Sequence, residues 1–242
     1  MATNELFQYS VVSALMDGVA SNGLPVSALL ANGDLGLGTF RHMAGEMIVL
    51  DGRAHQMKVD GTITPSDPDV DVTPFAMVTR FRPTATVRAA LPSKESLAHL
   101  LDRLFPRSRN AYVAFRIDGA FRSVTVRTAE GQRFRGEGLA AVGARQVTHT
   151  FGGGGGAVVR GAAVGFRSPA FLQGVSVAGV HLHFIAEDGE RGGHVLALET
   201  DGEVDVGAAA LTRVVLELPA DDEEFNAARL ERDSEGIQAI EG

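Results

Sequence analysis

The chain has 242 residues, with 22 Lys plus Arg against 30 Asp plus Glu and a formal charge of −8. That length suits one or two domains and buries about 70–75% of the unfolded surface, while 45% apolar and 21% charged residues exclude a disordered chain. The acidic balance argues against nucleic-acid and anionic-membrane partners, and the absence of cysteine removes disulfides, thiolate metal sites and a Cys nucleophile, leaving carboxylates, Arg and seven His to carry any chemistry.

Met1 to Gln8 has no basic segment and contains Glu5, and no apolar run reaches the ~18 residues of a membrane span, so a cytoplasmic protein is expected. Leu6 to Leu15 is mostly apolar. Pro25 to Ala31 reads as a short helix, with Pro25 at an early position and Gly33 past the end. Glu46–Leu50 and His55–Val59 read as strands closed by Asp51-Gly52 and Asp60-Gly61, a hairpin series. Pro65 to Asp71 is a loop on its prolines and acids, and Phe75 to Phe81 a further strand. Ser93 to Phe105 is the clearest helix, with Ser93 as N-cap, a stripe of Leu97, Leu100, Leu101 and Leu104, and Pro106 as the stop. Tyr112–Ile117 and Phe121–Thr128 flank Asp118-Gly119 and read as a hairpin. From Val147 onward the pattern is β until the acidic run Asp221–Glu224, which reads as a solvated turn. The five glycines Gly152–Gly156 read as a loop expansion within a β domain.

The chemistry concentrates in three histidines. His181 and His183 lie in the apolar run Val175–Ile185, and alternation puts both on one strand face. Asp188-Gly189 is a hairpin turn signal. Pairing outward symmetrically from those two residues sets Glu187 opposite Glu190, Ile185 opposite Gly192 and His183 opposite His194. Three imidazoles then share a face, which is costly to bury without a cation and matches a three-nitrogen metal site with open positions. Zn, Fe, Mn, Ni and Cu all suit such ligands, and zinc leads for a thiol-free site. The spacing from His181 to Glu187 is also that of a cupin metal motif, with Glu187 as a ligand. His42, His55, His99 and His149 are scattered and read as surface or structural residues.

Several stretches together resemble the α-acetolactate decarboxylases. They are Leu6–Ser10, Ala14–Gly18, Gly33–Phe40, Gly45–Gly52, Thr73–Ala76, Arg116–Gly119, Gly165–Pro169, Gly179–Ile185 and Gly192–Leu196, in order over nearly the whole chain. The resemblance implies a β-rich α+β fold, with a mixed sheet domain with helices over residues 1–125 and a β-barrel-like metal domain over residues 126–242. It further implies a homodimer joined through the N-terminal sheet, and a Zn2+ enzyme converting (S)-2-acetolactate to (R)-acetoin and CO2. Carried onto this chain, the ligands are His181, His183 and His194, and the active-site residues are Glu46 and Arg127. A C-terminal glutamate completes the set: Glu241, or alternatively Glu235. Ala20 stands where relatives commonly carry an aromatic, Ala197 where they often carry an acid, and Gly131–Gly161 matches poorly. A cupin-like isomerase or oxygenase, or a non-catalytic metal-binding β domain, are the other classes the histidines allow.

Overall fold

The computed structural model describes residues 2–153 and 157–230. In chain order the elements are β1 (Leu6–Tyr9), α1 (Val12–Met16), β2 (Leu24–Pro25), α2 (Val26–Leu30), β3 (Leu35–Thr39), β4 (Glu46–Leu50), β5 (Arg53–Met57), β6 (Ile63–Pro65), β7 (Val72–Thr73) and β8 (Phe75–Thr79). There follow β9 (Ala85–Ala90), α3 (Lys94–Leu104), β10 (Tyr112–Thr128), α4 (Leu139–Gly143), β11 (Val147–Gly152), β12 (Val159–Ser168), β13 (Gly179–Ala186), β14 (Gly192–Thr200), β15 (Glu203–Leu211), β16 (Val214–Glu217) and α5 (Glu223–Ala227). This is the expected β-rich α+β fold. No helix among the described residues is long and apolar enough to cross a membrane.

Two seven-stranded sheets dominate. The first runs β16-β1-β8-β3-β4-β5-β6, so its last strand returns from the far end of the chain to lie parallel to β1. The second holds β9 to β15, and within it β10, β12, β13 and β14 close into a four-stranded barrel. Strand alternation sorts the core into three layers. Val26 and Leu29 of α2 cover one face of the first sheet, meeting Phe7, Met47, Val49 and Val78. Leu37, Ile48 and Met77 point the other way and join Val164, Phe166 and Ile185 of the second sheet in a shared cluster. Leu182, Phe184 and Phe121 face instead toward Leu97 and Leu101 of α3. Ser93 caps α3 through a reciprocal capping box with Ser96, a device typically contributing about 1 kcal/mol.

The expected hairpin at Asp118-Gly119 is not a turn. Tyr112–Thr128 is one continuous strand, and position 125/126 lies inside it. Asp118 pairs with both Ala162 and Asp205, and Gly119 with Gly161, so the dipeptide has ladder partners instead of a reversal. Along its first half β10 pairs with β12 and β15, and along its second half with β11 and β14. Gly119 marks the change of partners, where a Cβ would come within 2.6 Å of Val204 Cγ1. β11 and β12, on either side of the glycine run Gly152–Gly156, both pair with β10 and so belong to one sheet. Gly154–Gly156 lie outside the described residues. The acidic run is not simply solvated. Glu224 accepts from the Ser21 hydroxyl at 2.8 Å and pairs with Arg135, and its side chain is only 13% exposed.

Candidate metal centre and active site

His181 and His183 project from the same face of β13, while the intervening Leu182 packs under α3. The hairpin to β14 has the expected register, with His183 opposite His194 and Ile185 opposite Gly192. The reversal is wider than two residues. An Ala186 N–H bond to the Arg191 carbonyl (2.8 Å) closes a four-residue loop, in which Gly189 takes the left-handed conformation (φ 71°). The symmetry about Asp188-Gly189 is unchanged, so the register holds.

One ring nitrogen from each of His181, His183 and His194 lies within 4.8 Å of the others, and all three side chains are buried. His183 fixes its own tautomer. Its Nδ1 is 2.7 Å from the Met47 carbonyl, which only accepts, so Nδ1 carries the proton and Nε2 keeps a lone pair. That Nε2 is buried without a hydrogen-bond partner among the described residues and faces Glu46 Oε2 at 3.6 Å. His181 Nε2 and His194 Nδ1 stand 3.0 Å apart. Burial drives all three imidazoles toward neutrality. It pushes His183 down to about 4, with the Arg127 cation acting in the same sense and the Met47 carbonyl opposing. His181 and His194 are held well below the ordinary histidine value by burial first, then by neighbouring imidazoles and the positive potential of Lys94 and Arg127. Neutral imidazoles are the ligand form, so these three residues fit a divalent cation of the nitrogen-preferring class.

Arg127 reaches the same face from β10. It sits directly across the ladder from His194, and its Nη2 donates toward His194 Nε2 at 3.4 Å. A register shift between Thr125 and Val126 makes that pairing possible, because a one-residue bulge moves the following side chains to the other face. Arg127 is 9% exposed. Glu46 comes from the other sheet, as the first residue of β4. The residue before it, Gly45, is anchored by its N–H to the Ala129 carbonyl, and its carbonyl accepts from the Thr39 hydroxyl at 2.7 Å. His42 and Met43, just upstream, both adopt left-handed φ near +60°, a local strain of roughly 1–2 kcal/mol each. The docking of β4 on β13, sealed by the Met47–His183 bond, therefore brings Glu46 to the histidines.

A narrow cavity of about 40 Å3 opens on Glu46 and His181. Its walls include Val12 and Leu15 of α1, Leu139 and Val142 of α4, and Thr39 and Gln146. None of these, nor the Met47 carbonyl, carries a sequence signal of its own, since each belongs to an ordinary core or loop pattern. A larger cleft of about 690 Å3 elsewhere touches no histidine, and its charges pair among themselves as Arg82–Asp34 and Arg116–Asp51. Glu187, the cupin-type ligand, is 70% exposed and pairs with Arg160, away from the cluster. Of the scattered histidines, His149 bonds the Val59 carbonyl and His42 and His99 are exposed. Glu241 and Glu235 lie outside the described residues.

Known proteins are similar to this chain over most of its length. The family model for alpha-acetolactate decarboxylase matches residues 6–232. An alpha-acetolactate decarboxylase from Methanosarcina mazei is 38% identical over 244 residues, covering 99% of this chain and 81% of the relative. One from Methylococcus capsulatus is 40% identical over 194 residues, covering 80% and 72%. The crystal structure of alpha-acetolactate decarboxylase from Bacillus subtilis strain 168 superposes with a TM-score of 0.90 at 33% identity, covering 98% of this chain and 99% of that one. A match of this extent, over the strands that bring Glu46, Arg127 and the three histidines together, means that the chain belongs to the alpha-acetolactate decarboxylase family.

Proposed function

We propose that this protein is a zinc-dependent carboxy-lyase that converts (S)-2-acetolactate to (R)-acetoin and CO2, in acetoin formation. The observation that carries the reading is the buried lone pair of His183 Nε2, aimed at a carboxylate and two further imidazoles with no hydrogen-bond donor for it among the described residues. A cation resolves that arrangement, and His181, His183 and His194 would hold it. When bound, such an ion supplies Lewis acidity toward the ketone and hydroxyl oxygens of a 2-hydroxy-3-oxo acid.

The chain's own groups do the rest. Arg127 offers a planar two-point grip for the substrate carboxylate, and its burial strengthens that contact by excluding water. Releasing CO2 leaves an electron pair on the carbon that carried it. Glu46, with Oε2 3.6 Å from His183 Nε2, is suited to return a proton to that carbon from one side, which sets the chirality of the product. We assign Glu241, with Glu235 as the alternative, a second acid–base role at the same site. The buried walls of α1 and α4 keep bulk water from competing for the carbanionic carbon.

The same reading includes a homodimer. Among the described residues the edge strand β16 pairs with β1 alone and exposes Val214, Val215 and Leu216, with Leu218 just beyond. An apolar unpaired edge of this kind favours strand addition by a second copy.

The deciding experiment follows acetoin release from racemic 2-acetolactate, with and without a chelator, beside elemental analysis. Chelator-sensitive acetoin formation with about one zinc per chain is expected. Zinc retention without acetoin would leave a non-catalytic metal-binding domain, and activity indifferent to complete metal removal would overturn the metal role.

A further inference from the structure

The cavity that opens on His181 and Glu46 has one wall built by α4. Leu139 and Val142, three residues apart on α4, both turn into it and are 7% and 1% exposed. A helix of five residues has no stability of its own, and α4 has no side-chain cap. A half-buried ion pair straps it instead. Glu137 and Arg145, on either side of α4, meet in a two-point contact at 2.7 and 2.8 Å, and Glu137 is 6% exposed. Arg145 also donates to the Ala141 and Gly131 carbonyls, and Glu137 accepts from the Arg133 N–H. Backbone lies on backbone beneath this loop. A Cβ at Gly18 would stand 2.4 Å from the Gly136 carbonyl oxygen, and one at Gly138 would stand 2.5 Å from that of Met16. Ala20 is fully buried in the same cluster as Leu139 and Val142.

The wall is thus rigid, aliphatic and close to the reacting groups. A 2-hydroxy-3-oxo acid has its carboxylate, hydroxyl and ketone committed to Arg127 and the cation site, so only its alkyl groups remain to meet such a wall. The cavity of about 40 Å3 is far smaller than the ~300–1,000 Å3 of an ordinary ligand pocket, so each added methylene presses on its walls. We infer that α4, through Leu139 and Val142, limits the length of the alkyl substituent on the substrate's hydroxyl-bearing carbon, so that turnover falls from methyl through ethyl to propyl. The inference rests on the decarboxylase reading above and deepens it.

The test compares kcat/KM for the 2-methyl, 2-ethyl and 2-propyl homologues of 2-hydroxy-3-oxobutanoate. A hydrophobic pocket typically discriminates by about 10–200-fold per methylene, so the wild-type protein should lose at least about 10-fold at propyl. Val142→Ala should raise the propyl-to-methyl ratio about 10-fold, and Val142→Ile should lower the ethyl-to-methyl ratio by a similar factor. Leu29→Ala, in the separate cluster under α2, destabilises the fold without touching the wall and should leave both ratios alone. Ratios within twofold of wild type in both Val142 variants, or equal shifts in Leu29→Ala, would overturn the assignment. Calorimetric binding of 2-hydroxy-2-methylpropanoate and its longer-chain homologues supplies the same comparison without turnover. If the wild-type protein decarboxylates none of the substrates, the proposed function falls, while the binding series still decides whether α4 gauges alkyl length.

Discussion

The buried tautomer of His183 makes the metal-free protein acid-sensitive by an amount that can be worked out. In an unfolded chain a histidine titrates near 6.5, whereas burial holds His183 at about 4 in the folded state. Between those values the unfolded chain binds the proton and the folded chain does not, so stability falls as pH falls. Each unit of difference is about 1.4 kcal/mol. His183 alone therefore contributes nothing above about pH 7, costs about 2 kcal/mol by pH 5, and costs about 3 kcal/mol once pH drops below 4. His181 and His194 shift in the same direction and add to the slope. The assay is urea unfolding of chelator-treated protein at a series of pH values, set against His183→Asn. The Asn amide keeps a donor for the Met47 carbonyl but does not titrate. The wild-type curve should fall away from the variant's by about 2 kcal/mol between pH 7 and pH 5. Parallel curves would refute the argument, because they would mean that His183 protonates as readily in the fold as in the free chain.

Other outcomes follow from the same geometry. Arg127→Lys should retain metal by elemental analysis yet lose at least about 100-fold in kcat/KM, since Lys cannot reproduce a planar two-point contact; normal turnover would remove Arg127 from the reaction. Glu46→Gln should cost about 10²–10⁴ in kcat while leaving the metal content intact, a split that separates proton transfer from ligation. Glu241→Gln should cost a comparable factor and Glu235→Gln should not; damage confined to Glu235→Gln would move the assignment six residues upstream. Leu216→Lys on the edge strand β16 should shift the protein to monomers in light scattering, with secondary structure by circular dichroism unchanged.

Local rules were enough for the elements that close on themselves. Ser93 and the leucine spacing marked α3 because capping and a 3.6-residue period are short-range properties. Asp51-Gly52 marked the β4–β5 turn because both residues must take positive φ there, and they do. The opposition of His183 and His194 was legible because a hairpin's register follows from its turn, and it survived a wider loop than expected because the centre of symmetry did not move. Asp118-Gly119 carried the same turn signal and misled, because partners far along the chain, Ala162 and Asp205, hydrogen-bond the strand on both sides there and hold it extended. Arg127 joins His194 only through a bulge, a one-residue slip that no alternation pattern announces. Resemblance to relatives, rather than any local pattern, singled out Glu46. It meets His183 because two sheets dock through Leu37, Ile48, Val164 and Phe166, and apolar burial that joins distant segments leaves no mark in the residues around Glu46. The residues by themselves determined the three-histidine face of one hairpin; the packing of the second sheet, the bulge in β14 opposite β10 and the strapped α4 decided what stands around it, because those contacts exist only once the chain has closed on itself.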